Sequence, residues 1–362
     1  MTQGSVTGTG GNRYTHLVGG VPADSARGAM IQMLDYLGPT LLHLPDGENA
    51  TPDIPGRANW IEPEVGAVPG LPGVITHNAQ ARYSGYDDTP WYEATRQLIA
   101  DELDQVVILR RAFEASYPVF CALRSERGFP RLRFQAGLAA AYDLALLAFR
   151  EAGLSPELFS AITETKARQV RACSAQAPGD VVFQLESPMA VRWVATAEDP
   201  AGAAAYVAGL LTELPRRCPG TAWGVHECDG DWYHQAQADP SSALPLVLLA
   251  SEIIAQWPTG PDAPVLEYIH LPFAAASKPP SADAAWYAPL GDLYKKMPPG
   301  CRLAAGFVHE LLDLDALRRL LGVIEDAYGA PVTIAATCGL GRRPDPSQAI
   351  DAMTKMAALA AA

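Results

Sequence analysis

Val181-Val-Phe-Gln-Leu-Glu186, then Asp199-Pro200 opening an Ala/Leu-rich stretch to Leu214, then Ala222-Trp-Gly-Val-His226: this passage decides the fold. Its first and last pieces are short apolar runs of strand length. The stretch between them repeats with a helical period. Asp199 suits the cap position ahead of it, and Pro200 suits the first helical position, where no backbone N–H is needed. A strand, a helix and a second strand in succession form a crossover unit with parallel strands and the helix outside.

The same alternation continues in both directions. Further strand candidates are Thr15–Gly20, Thr40–Leu44, Pro118–Leu123, Arg131–Gly137, Val265–Leu271, Leu303–His309 and Val332–Thr337. Helical periods cover Ser25–Leu37, Glu93–Phe113, Ala139–Glu151, Pro156–Cys173, Pro200–Leu214, Ala243–Trp257, Ala284–Lys295, Leu314–Tyr328 and Pro346–Ala360. With Pro118–Leu123, the weakest, set aside as an excursion, eight strands remain. That number predicts a (β/α)8 TIM barrel over residues 15–362, with the Gly/Thr/Ser-rich residues 1–14 as a flexible N-terminus. An open doubly wound sheet is disfavoured, because no Gly-rich phosphate loop follows an early strand. Residues Pro45–Tyr92 are rich in Pro, Gly, Asp and Asn. They read as a long functional loop after the second strand, at the barrel end where active sites form.

The chain has 362 residues, 49% hydrophobic and 19% charged, which excludes disordered and fibrous classes. Forty acidic against 27 basic residues give a net charge of −13 and argue against nucleic acid or an anionic membrane as partner. Neither a signal-peptide core nor an apolar run of membrane-spanning length is present, so the expectation is a cytoplasmic protein. Six cysteines in so long a chain are not a disulfide scaffold. The question becomes which of them bind metal.

Four places put metal-competent or acid–base groups at the end of a predicted strand. In Trp223-Gly-Val-His226-Glu-Cys228 the imidazole and the thiol are two residues apart, so an extended backbone points both to one side, within reach of one ion. Thr337-Cys338-Gly-Leu-Gly341-Arg-Arg343 delivers a second thiol after the last strand. Glu267 and His270 share one strand, and His309 ends another. Each has a bland alternative: a buried cysteine is commonly a small hydrophobe, and a histidine a satisfied core residue. Cys121, Cys173, Cys218 and Cys301 fall away from strand ends and read as inert.

These residues resemble the cobalamin-independent methionine synthase family, in its C-terminal zinc barrel and its shorter single-barrel relatives. The likeness rests on Gly19-Gly20-Val-Pro22, Phe183-Gln-Leu-Glu186-Ser-Pro188, His226-x-Cys228, Phe307-Val-His309 and Cys338-Gly-Leu-Gly-Arg-Arg343. The fold implied is the barrel shared with uroporphyrinogen decarboxylase. The resemblance further implies a Zn2+ ion held by His226, Cys228, Cys338 and a strand glutamate, here Glu267. His270 is the substitute for that glutamate, and Glu252 is nearer in spacing but on a helix. A zinc-coordinated substrate thiol is deprotonated at neutral pH and can attack an electrophilic carbon. His309 looks like the family's acid, Glu186 like the group that binds the amine of the thiol substrate, and Gly19 and Gly20 like the backbone that holds its carboxylate.

There are departures. Gly20 replaces a serine, and Glu186-Ser187 replaces an Asp-Glu pair. Glu48, in Asp46-Gly47-Glu48, is a second amine-binding candidate or a solvated turn. Arg342 and Arg343 are candidates for an anionic substrate group. No duplicate N-terminal barrel is present, so a methyl or alkyl donor other than a polyglutamylated folate is expected. The resulting expectation is a zinc-dependent transferase acting on a small-molecule thiol and a methyl or alkyl donor. The alternatives are thiol addition to an epoxide, a non-catalytic zinc- or ligand-binding barrel, and a barrel that handles corrinoid or porphyrin rings.

Overall fold

The computed structural model describes residues 13–51, 54, 57–82, 88–230 and 235–362. The expected flexible N-terminus lies outside these residues as far as residue 12. From there Arg13 is anchored, its backbone N–H on the Ala360 carbonyl at 3.0 Å and its guanidinium on Glu325 at 2.9 Å.

Among the described residues ten strands occur in chain order: β1 (Thr15–His16), β2 (His43–Pro45), β3 (Val74–His77), β4 (Trp91–Ala94), β5 (Arg133–Ala139), β6 (Val181–Ser187), β7 (Ala222–Glu227), β8 (Val265–Pro272), β9 (Arg302–Val308) and β10 (Thr333–Ala336). Eight form one parallel sheet in the order β1-β10-β9-β8-β7-β6-β5-β2. A parallel bridge from Thr15 to Leu41 brings its two ends together. With helices between successive strands, this is a (β/α)8 barrel. The eight retained strand candidates all fall on it.

Local chemistry explains the helices. Asp199 caps Pro200–Arg216 through Gly202 N at 3.1 Å, and Asp313 caps Leu314–Tyr328 through Ala316 N at 2.7 Å. In Leu314–Tyr328 the buried positions Leu317, Leu320, Leu321, Ile324 and Tyr328 make one stripe, each worth about 1.5–3 kcal/mol of apolar burial for the aliphatic ones. Gly329 ends that helix in the left-handed conformation at φ 88°.

Several expectations are corrected. Pro118–Leu123 is not a strand but part of the helix Leu109–Arg127, which buries Ala112, Phe113, Ser116, Phe120 and Leu123 at three- and four-residue intervals. That longer period outweighs the strand propensity of a few residues. Glu93–Phe113 is not one helix: its start belongs to β4, paired antiparallel with β3, and only Ala100–Leu103 and the start of the long helix are helical. The strand predicted over Thr15–Gly20 has ladder pairs at its first two residues alone. Pro289 separates two short helices, Ala284–Tyr287 and Leu290–Tyr294. The long loop contains the helix Ile61–Ala67, and Pro188–Thr196 is a helix with no counterpart among the candidates.

The barrel interior carries a connected polar network, in which Gln135 Oε1 is left without a partner. Gln184 Oε1 meets Gln135 Nε2 at 3.1 Å, the Tyr268 hydroxyl at 3.0 Å and His16 Nε2 at 3.1 Å. Toward the C-terminal rim, the ladder pairs Glu186 with His226 and His226 with His270. Three strands thus present three polar side chains at one height.

Candidate metal centre and adjoining pocket

His226 closes the inward-facing row of β7, and Cys228 follows one residue beyond the strand. Cys338 follows β10 by two residues. The structure brings all three together: Cys228 Sγ lies 3.7 Å from Cys338 Sγ, and Cys338 Sγ lies 3.6 Å from His226 Nε2. The three ligand atoms all fall within 4.8 Å of one another, and all three residues are buried. A tetrahedral ion with Zn–S near 2.3 Å and Zn–N near 2.05 Å holds its sulfurs about 3.8 Å apart and sulfur and nitrogen about 3.6 Å apart. The donor set fits such an ion in both chemistry and spacing.

The surroundings act on the sulfurs in both directions. The Cys228 thiol is pushed well above its ordinary value by its hydrogen bond with Cys338 and then by burial. Two donors already face the sulfurs, Gly230 N at 3.3 Å from Cys228 Sγ and Arg342 Nη2 at 3.4 Å from Cys338 Sγ. Both favour the charged form of sulfur. Burial, and next the neighbouring His270, hold His226 well below the usual histidine range, so its ring is neutral. Its Nδ1 lies 2.7 Å from His270 Nδ1.

Glu267, expected as the fourth ligand, does not join the cluster. It is three residues before His270, about 10 Å toward the opposite end of the barrel. There it pairs with Arg133 and, at 3.1 Å, with His43. The β7–β8 ladder, which shifts by one residue between Trp223, opposite Leu266, and Gly224, opposite Tyr268, sets His270 beside His226 and leaves Glu267 three residues short of it. Glu252 lies on the helix Leu244–Gln256 and bonds Gln256 at 3.2 Å.

Two carboxylates stand beside the cluster. Glu186 accepts from Gln184 Nε2 at 2.9 Å and from Trp60 Nε1 at 3.2 Å. A Cβ at Gly137 would fall 2.5 Å from Glu186 Oε1, so that glycine makes room for the carboxylate. Burial and the charge of Glu48 push Glu186 well above the ordinary carboxyl range, and Glu48 is itself raised by burial. Glu48 adopts φ 54°, and its carboxylate lies against Gly19 and Gly20, taking a hydrogen bond from the Gly20 amide. The glycine pair is thus engaged by the chain's own Glu48. Gly20 also accepts from Leu340 N at 2.6 Å, and a Cβ on Gly339 would approach Gly20 N to 2.9 Å. This close backbone packing seats the loop that carries Cys338. A cavity of about 520 Å³, lined by Gly20, Gly47, Glu48, Arg57 and Gly341 among others, opens alongside.

His309 is fully buried just past β9. Its Nε2 faces the Ala276 carbonyl at 3.0 Å, its Nδ1 accepts from Leu311 N at 3.2 Å, and Glu310 Oε2 is 3.8 Å from Nδ1. Arg343 is buried against Glu310 at 3.3 Å, whereas Arg342 contacts the cluster. Sequence reasoning missed Trp60 and the Asp46–Arg57 pair at 2.6 Å, both supplied by the long loop. It also missed Gln184, although Gln184 lies two residues before Glu186 and so on the same strand face.

No protein-family model matches the chain, and no curated protein matches it. Among solved structures the fold is that of B12-independent methionine synthase-like barrels. A B12-independent methionine synthase from a Shewanella species, in complex with selenomethionine, superposes with a TM-score of 0.53 at 12% identity, covering 98% of this chain and 95% of that one. A Listeria monocytogenes protein solved under a vitamin-B12-independent methionine synthase designation gives 0.54 at 12% identity, with 98% of each chain covered. A methyltransferase from Methanosarcina mazei gives 0.50 at 11% identity, covering 98% of this chain and 94% of that one.

Proposed function

We propose that this barrel is a zinc-dependent transferase that takes a small thiol and transfers a methyl, or other alkyl, group to its sulfur. The observation that carries the reading is the meeting of two thiols and one imidazole at tetrahedral spacing on the rim, 3.7 and 3.6 Å apart, near a cavity lined in part by Glu48 and Arg57. Support for the direction of the chemistry comes from the likeness in fold to proteins titled methionine synthase and methyltransferase. His226, Cys228 and Cys338 hold the metal. Bound there, a zinc ion supplies the positive charge that makes an incoming thiol a thiolate near pH 7.

The remaining roles belong to the chain itself. Burial and the charge of Glu48 raise Glu186's affinity for a proton, and burial with the charge of Asp46 raises that of Glu48, so an ammonium group of the substrate is the natural relief for both. Gly19 and Gly20 leave that subsite bounded by backbone. His309, once its Nε2–H turns from the Ala276 carbonyl to the donor, would deliver a proton to the leaving atom as that atom's bond to carbon breaks and the new sulfur–carbon bond forms. Glu310 stands 3.8 Å from the ring, beside Nδ1.

The test uses zinc-loaded protein with homocysteine or smaller thiols, offered methyl donors in one series and epoxides in another, with products read by mass spectrometry. A methyl thioether from the wild type, absent with Cys338→Ser together with bound zinc, is the expected outcome. Thiol consumption with epoxides alone, or with neither series, refutes methyl transfer.

A further inference from the structure

We propose that His270 is a positioning residue for this centre: bridging the Ala336 carbonyl and His226, it turns the Nε2 lone pair of His226 toward the two sulfurs and leaves the fourth ligand position to the substrate. The inference rests on the metal reading above and extends it to a residue outside the ligand set.

The argument follows the protons. A carbonyl oxygen only accepts, so His270 Nε2, 2.9 Å from Ala336 O, carries a hydrogen. The ring is fully buried, and among the described residues no carboxylate is its hydrogen-bond partner, so it holds the one hydrogen that the carbonyl requires. Its Nδ1 is therefore a bare acceptor. His226 Nδ1 stands 2.7 Å away, and two bare nitrogens do not approach so closely. His226 must donate from Nδ1. In a neutral ring that leaves Nε2 unprotonated, and it is this atom that lies 3.6 Å from Cys338 Sγ. One directed chain, from carbonyl to imidazole to imidazole, fixes which nitrogen meets the metal.

Packing holds the relay rigid. The ring of His270 lies on the backbone of β9, where a Cβ at Gly306 would come within 2.8 Å of Nε2. The carbonyl that anchors it belongs to Ala336, two residues before Cys338, so His270 ties the strand bearing one ligand to the strand leading to another. Glu267 is held elsewhere by Arg133 and His43, and the cluster among the described residues numbers three donors. Three protein ligands with one place open is the arrangement of a catalytic rather than a structural zinc site.

Two measurements test this. In metal-free protein, 15N NMR of the histidine rings should show His226 as the Nδ1–H tautomer. His270→Ala should lose that preference, and His270→Asn, whose side-chain oxygen stands near the old Nδ1 position, should keep it. In Co2+ titrations, His270→Ala should bind about 10–100-fold more weakly with its sulfur-to-cobalt absorption unmoved, and His270→Asn should recover most of the affinity. An Nε2–H tautomer in the wild type, or unchanged affinity in His270→Ala, overturns the proposal. So does a cobalt spectrum in His270→Ala that shows a lost nitrogen ligand, since His270 would then be a ligand itself. Wild-type protein that takes up no cobalt while keeping the Nδ1–H tautomer sinks the metal centre, a result distinct from failure of the relay.

Discussion

Glu267 illustrates how one side chain can look like a ligand and serve as an anchor. Burial alone would raise its pKa, but the hydrogen bonds from His43 and Arg133 and the charge of Arg133 outweigh that and bring it down to about 2. His43 is itself kept below its usual range by burial, so the positive charge comes from Arg133. A depressed carboxyl stabilises the fold above its unfolded pKa and loses that contribution as pH falls through the folded value. Between about pH 4.5 and 2 the wild type should lose on the order of 3 kcal/mol that Glu267→Gln does not lose. Denaturant titrations at stepped pH measure it, and a constant gap between the two proteins contradicts the ion pair. His226 and Cys228 were legible because alternation along a strand is a local property. The placement of Glu267 was not, because it depends on how far β8 slides along β7, whose paired residues Gly224 and Tyr268 lie 44 positions apart in the chain.

At the scale of elements, the helix Ile61–Ala67 matters most. Glu64 on it accepts from Lys166 at 2.8 Å and from Ile108 N at 3.2 Å, with both charged side chains essentially inaccessible, 1% and 0% exposed. The pair pins the long loop to the helix Pro156–Gln176, and through the loop it fixes Trp60 on Glu186. Lys166→Met strands a buried carboxylate and should cost about 3–5 kcal/mol, whereas Glu64→Gln combined with Lys166→Met should recover much of it. Chemical denaturation of the three variants decides. If Lys166→Met is neutral, the pair does not anchor the loop. Helices with a cap and an uninterrupted apolar stripe, such as Leu314–Tyr328 and Pro346–Ala360, were readable to the residue. The loop's helix was not, since seven residues carry too little periodicity and are held by tertiary contacts.

For the molecule as a whole, the barrel's weak line is where β1 meets β2. β1 has two paired residues and is joined to the start of the β2 segment by one bridge, whereas β5, β6 and β7 share six-residue ladders. Native-state hydrogen exchange should therefore show the lowest strand protection around Thr15 and Leu41 and the highest in β6. Uniform protection around the ring refutes this. The architecture was legible because strand–helix alternation is repeated many times over. How completely the ring closes was not, because closure depends on pairing between the first strands and the last.

The two sulfurs of the cluster lie 110 positions apart, with β8, β9 and β10 coming between them in the chain. A nascent polypeptide that has emerged only as far as β9 owns an imidazole and a single thiol, and nothing to complete the trio. On the proposed metal reading, loading would wait for the final strand to dock, so the ion would enter a nearly finished ring and not act as the seed around which folding begins.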